Sequence, residues 1–189
     1  VKLLRTIRLD PSDGFVFPRA AEPGEWAVAG GFMFWDCVPA ELSGKERAAF
    51  RSGILGIDSF GWSTLAVVSE ATEAERDAAV DRLAARLVDI LGAPDLESAR
   101  AAAAEEIAYA AELAVHPVNT LVAVERRAEE EGVTERFRTL HSRSPGEGPA
   151  TRFGNAFGFV TVDPAAGEEV PAEHVDLLKL DRRGKGGVA

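Results

Sequence analysis

Residues 72–114 carry two consecutive helical patterns separated by three residues, and this pair constrains the fold more than any other segment. Thr72-Glu73-Ala74-Glu75 is a capping box, in which the Thr72 hydroxyl takes the backbone N–H of Glu75 and the Glu75 carboxylate reaches back to that of Thr72. Val80, Leu83, Ala84, Leu87, Ile90 and Leu91 then recur at helical spacing until Gly92 and Pro94 stop the run. Asp95 caps a second helix whose apolar stripe is Leu96, Ala99, Ala103, Ile107, Ala110 and Leu113 or Ala114, and Pro117 closes it. Two amphipathic helices, over about 72–91 and 95–115, must therefore pair antiparallel or turn a sharp corner, and each needs a surface to bury its stripe against.

The rest of the chain supplies that surface as strands. Lys2 to Leu9 reads as a strand ended by the turn residues Asp10-Pro11-Ser12-Asp13-Gly14, and Phe15-Val16-Phe17 as a short strand stopped by Pro18. Glu25 to Asp36 reads as a bent, largely buried strand in which Gly30-Gly31 mark a bulge or a close backbone approach. Ser43-Gly44-Lys45-Glu46 is a second capping box, predicting a helix to about Arg51; Ile54 to Gly61 reads as a loop, and Trp62 to Val68 as a strand. Leu121 to Arg126 and Val133 to Leu140 flank a turn and predict a β-hairpin. The expected class is α+β, a mostly antiparallel sheet with the two long helices packed on one face. Residues 1–141 are expected to form a single α+β domain. Gly and Pro make up 12 of the last 48 residues against 28 of 189 overall, so 142–189 is expected to be an extension partly ordered on the domain edge. Within it, Phe157 to Val162 and Val175 to Leu180 have strand composition.

Composition narrows the partners. The net charge of −10 opposes the counterion-release term that drives nucleic-acid or anionic-lipid binding, so neither is an expected partner. The single cysteine makes no internal disulfide, the opening segment has no apolar core of signal-peptide length, and no apolar run is long enough to span a bilayer. A cytoplasmic protein is expected.

Motifs for catalysis start and fail. Gly44-Lys45 lacks the upstream Gly and the following Ser or Thr of a phosphate loop, and Gly61-Trp62-Ser63-Thr64-Leu65 lacks the second Gly of a nucleophile elbow. No Gly-x-Gly-x-x-Gly opens a helix, and His116, His141 and His174 are scattered. Cys37 follows the acidic Asp36 at the close of the aromatic strand, and a buried, inert cysteine is expected. No catalytic residue, metal site or cofactor is predicted, and the balance leans against an enzyme.

Two features remain for binding. All three tryptophans fall within 37 residues, and Trp35 and Trp62, beside Asp36, either line a recognition groove or belong to the core. Arg126, Arg136 and Arg138 share parity within their strands and make either an anion-binding strip or, with the neighbouring glutamates, cross-strand ion pairs. Between Glu70 and Glu112, 11 acidic residues face four arginines, a surplus suited to a basic partner. The candidate binding set is Trp35, Asp36, Trp62, Arg126 and Arg138. The expected function is a non-catalytic accessory or protein-binding module, acting on a protein partner or as a homodimer. The alternative is a small enzyme or ligand-binding domain for an anionic metabolite, anchored by Arg126 and Arg138 with Asp36 as acid or base.

The opening Lys2-Leu3-Leu4-Arg5-Thr6-Ile7-Arg8-Leu9-Asp10, the segment Pro23-Gly24-Glu25-Trp26-Ala27-Val28 and Phe60-Gly61-Trp62-Ser63-Thr64-Leu65 resemble a small uncharacterised alphaproteobacterial protein family, from the N-terminus to about Leu140. The resemblance carries no activity, cofactor or catalytic residue onto this chain. It implies an association with accessory genes of molybdenum-dependent formate dehydrogenase, and hence a helper of enzyme assembly or maturation.

Overall fold

The structure is a computed structural model that describes residues 1–8, 12–129, 132–142, 159–162 and 169–170. The helical pair forms as its caps dictate. Helix α3 (Glu73–Leu91) opens on the reciprocal bonds of Thr72 and Glu75, at 3.2 Å from the Glu75 N–H to the hydroxyl and 2.8 Å from the Thr72 N–H to the carboxylate. It closes at Gly92, whose φ of 69° is the left-handed conformation that glycine adopts without a Cβ penalty. Helix α4 (Leu96–Leu113) opens where the Asp95 carboxylate accepts the Ser98 N–H at 2.7 Å. Its buried residues Ala99, Ala103, Ile107 and Ala110 keep one face narrow, and an Arg100–Asp81 ion pair at 2.9 Å links it sideways to α3. Leu96, expected in the stripe, is exposed in the first turn.

Among the described residues, nine strands form one sheet in which every pairing is antiparallel. The strands are β1 (Lys2–Ile7), β2 (Trp26–Val28), β3 (Ile54–Gly56), β4 (Trp62–Ser63), β5 (Leu65–Glu70), β6 (Leu121–Glu129), β7 (Gly132–Ser142), β8 (Phe159–Val162) and β9 (Glu169–Val170). Their order is β4-β3-β2-β1-β5-β6-β7-β8-β9. With two shorter helices, α1 (Asp13–Val16) and α2 (Gly44–Ser52), the class is α+β.

Both faces of the sheet are buried at its centre. Leu3 and Leu4 point to opposite sides of β1, yet neither reaches solvent. Leu3 packs in one cluster with Trp26, Val28, Leu55 and the buried residues of α3 and α4, whereas Leu4 packs in another with Ala27, Ile54, Val68, Val122 and Val124.

Four local expectations are corrected. Phe15-Val16-Phe17 is not a strand: the Ser12 carbonyl accepts the N–H groups of Phe15 and Val16 at 2.8 and 2.9 Å, and the Thr64 hydroxyl donates to the Asp13 carboxylate at 2.6 Å, closing a turn of helix. The strand expected over Glu25 to Asp36 ends at Val28, because Gly30 turns the chain with φ 80° into a 3-10 turn at Gly31–Phe34. A Cβ on Gly30 would lie 2.6 Å from the Leu55 Cβ. At α2 the predicted helix is present but its capping box is not, since the Ser43 side chain makes no cap and its carbonyl alone holds the first turn. The loop expected from Ile54 begins instead with β3, whose apolar residues are buried on both sides.

The loop that follows β3 is held by one carboxylate. Glu25 accepts the N–H groups of Glu22, Asp58 and Ser59 at 2.7, 2.6 and 2.7 Å, which satisfies the lone pairs of a buried carboxyl group. The expected strand at Phe157 to Val162 is met by β8, paired with β7; Val175 to Leu180 lies outside the described residues.

Candidate functional site

The 3-10 turn after β2, the end of α2, the middle of α4 and the β6–β7 hairpin enclose a cleft of about 650 Å³, within the range that holds a small ligand or a few residues of a partner. One wall is aromatic. Phe34 stacks on Trp62 at 5.2 Å between ring centres and meets Phe50 edge-on at 5.3 Å, so the wall is backed by the core. Phe32 contacts Trp35 edge-on at 6.5 Å, and Trp35 itself is 82% exposed at the mouth.

The floor is ionic. Arg126 is 1% exposed, and its guanidinium donates to the Phe50 and Gly53 carbonyls at 3.2 and 2.7 Å, to the Ala29 carbonyl, and through Nε to the Glu135 carboxylate. Those bonds tie the hairpin to the ends of β2 and α2, four of five donors being committed. Gly31 is shaped to this ion pair, since a Cβ there would lie 2.7 Å from Glu135 Oε1.

Above the floor stand Glu106 and Tyr109, three residues apart on one side of α4. Burial pushes the Glu106 carboxyl above its ordinary range, and the neighbouring charge of Glu135 adds to the shift. Burial likewise raises the Tyr109 phenol, whose ring meets Phe137 edge-on at 6.0 Å. With Glu129, the cleft holds three glutamates against one arginine, and that arginine is already engaged.

The expected binding residues are distributed unequally around this cleft. Trp35 and Arg126 come together in it. Trp62 is a core residue at 6% exposure that supports the wall from behind, and Trp26 is also buried, its ring covered by the Arg5 guanidinium at 3.5 Å. Asp36 is exposed beside Trp35 and is not part of the lining. Arg138 lies on the other face of the hairpin: the register pairs Arg126 with Glu135 and Arg138 with Ala123, so the two arginines point oppositely. The tryptophan set is thus core at two positions and groove at one. Cys37, expected to be buried, is exposed and lines the cleft, because the chain around it is irregular rather than the end of a strand.

Glu106, Tyr109, Phe50 and Glu135 were not among the sequence candidates. One signal for the first two was present, a carboxylate and an aromatic at i, i+3 in a helix otherwise made largely of alanine. Among the described residues no group of three His, Cys, Asp or Glu side chains is placed to hold a metal ion, and no helix is long and apolar enough to cross a membrane.

No curated protein and no solved structure matches this chain. Residues 1–150, which contain the whole cleft, match DUF6505, and the chain belongs to that family of unknown function.

Proposed function

We propose that the protein is a non-catalytic binding module whose cleft receives a short segment of a partner protein. The observation that carries this reading is Trp35, a large aromatic left 82% exposed at the mouth of a cleft with an otherwise core-packed wall. The charge of the lining selects the occupant. Glu106, Glu129 and Glu135 outnumber Arg126, four of whose five donors are spent on carbonyls and Glu135, so an apolar segment carrying a basic side chain is favoured over an anion. We read both long helices as one layer on the sheet, an arrangement supported by the single cluster that contains Val80, Leu83 and Leu87 of α3 with Ala99, Ala103 and Ile107 of α4, with Tyr109 and Glu106 presented on the edge of α4. A role in the assembly of a cytoplasmic enzyme completes the proposal, supported by the family resemblance of the opening residues.

Tagged full-length protein and its Trp35→Ala and Glu106→Gln variants, purified from the native host, test the reading. A partner recovered with the unchanged protein is expected to fall at least about tenfold with Trp35→Ala. Its complex is also expected to shield Trp35 from acrylamide quenching. Equal recovery with Trp35→Ala would overturn the cleft as the docking site. A self-associated dimer by sedimentation, lost in the same variant, would replace the partner with a second copy.

A further inference from the structure

We propose a second site, for a small polyvalent oxyanion, on the reverse face of the hairpin. There α2 and the hairpin frame a depression of about 450 Å³, lined by Arg51, Arg138 and Glu125 over Ala48 and Ala123. The strand register adds to it. Ala123 pairs with Arg138 and Glu125 with Arg136, so Arg136 and Arg138 share a face with Glu125 and Arg127.

Glu125 organises this face. Its carboxylate accepts from Arg127 Nε at 2.8 Å and from Arg138 Nη2 at 2.8 Å, fixing two guanidinium groups that would otherwise be free to swing away. Hydrogen bonding from Arg127, with the nearby charges of Arg138 and Arg136, holds the Glu125 carboxyl below its ordinary range. Arg51, Arg138 and Glu125 line the depression, and Arg127 and Arg136 stand beside Glu125 on the same face, so the region carries an excess of positive charge on a chain whose net charge is −10. Such a concentration is repulsive at short range unless an anion neutralises it, and guanidinium groups match the paired oxygens of phosphate or carboxylate. A depression of this volume fits a small phosphate ester or polycarboxylate rather than a length of nucleic-acid backbone.

Calorimetric titration of pyrophosphate and of citrate into the full-length protein at low salt tests the site. Saturable one-to-one binding is expected, weakening as salt rises, with at least about a tenfold loss in Arg138→Ala and in Arg51→Ala. Arg138→Lys should retain part of the affinity, and Trp35→Ala, on the other face, all of it. Preference for pyrophosphate would indicate a phosphorylated ligand, and preference for citrate a polycarboxylate. No saturable binding of either anion, or binding indifferent to both alanine variants, would overturn the proposal. Binding of an RNA oligomer or of polyglutamate in the absence of binding to either small anion would equally overturn the small-ligand assignment.

Discussion

The two faces of one hairpin hold arginines under opposite conditions. Arg126 is 1% exposed, pairs with Glu135 and satisfies three backbone carbonyls, while Arg138 is 53% exposed and meets the Glu125 carboxylate alone. The first is a clamp joining the hairpin to β2 and α2, and the second is a charge displayed to solvent. Residue type is the same; the number of partners and the access of water decide the role.

The strongest way to break this contrast is Arg126→Leu, which leaves the partly buried Glu135 and three carbonyls without their partner. A loss of about 3–5 kcal/mol of stability is expected, read from urea unfolding. Gly31→Ala presses a methyl group onto the flexible end of Glu135, which yields by loosening the ion pair, and should cost about 1 kcal/mol by the same measurement. On the other face, Arg138→Ala should change stability by no more than about 1 kcal/mol, since exposed pairs are screened. An Arg138→Ala loss as large as that of Arg126→Leu would erase the distinction between clamp and display.

The two faces should also differ in the sign of a pH dependence. Glu106 has a raised carboxyl pKa, so the folded state binds its proton more readily than the unfolded chain, and stability declines as pH rises from the ordinary carboxylate range through the raised value. Glu106→Gln should therefore gain on the unchanged protein as pH rises. Glu125 has a lowered pKa, so its contribution is present above the ordinary range and is lost as pH falls through the folded value. Glu125→Gln should be the less stable protein near neutrality and converge with it in acid. Melting temperatures of the three proteins at about pH 4 and about pH 7 check both signs. The same sign for both variants would refute the electrostatic contrast.

Legibility followed the locality of the interactions. The caps at Thr72 and Asp95, the stop at Gly92 and the hairpin strands depend on residues three or four apart, or on strand alternation, and both appear in the chain itself. The segment Phe15-Val16-Phe17 misled because strand composition there lost to a bond between Thr64 and Asp13, 51 residues apart. Trp35 and Trp62 were equivalent as residues in a sequence. The turn at Gly30 and Gly31 placed Phe34 against Trp62 and left Trp35 outside. Strand parity placed Arg136 and Arg138 together correctly, but assigning Arg126 to their strip required the cross-strand register, which pairs it with Glu135.

By itself the sequence determined the helical pair, the hairpin, the α+β class and the acidic surplus, because periodicity, capping and charge are properties of neighbouring residues. Only the tertiary structure decided which tryptophan faces the cleft, that Glu106 and Tyr109 stand over Arg126, and which arginines are clamp or display. Those outcomes rest on burial and on contacts across 70 or more residues, as between Arg126 and the Phe50 and Gly53 carbonyls, where desolvation sets the value of a charge.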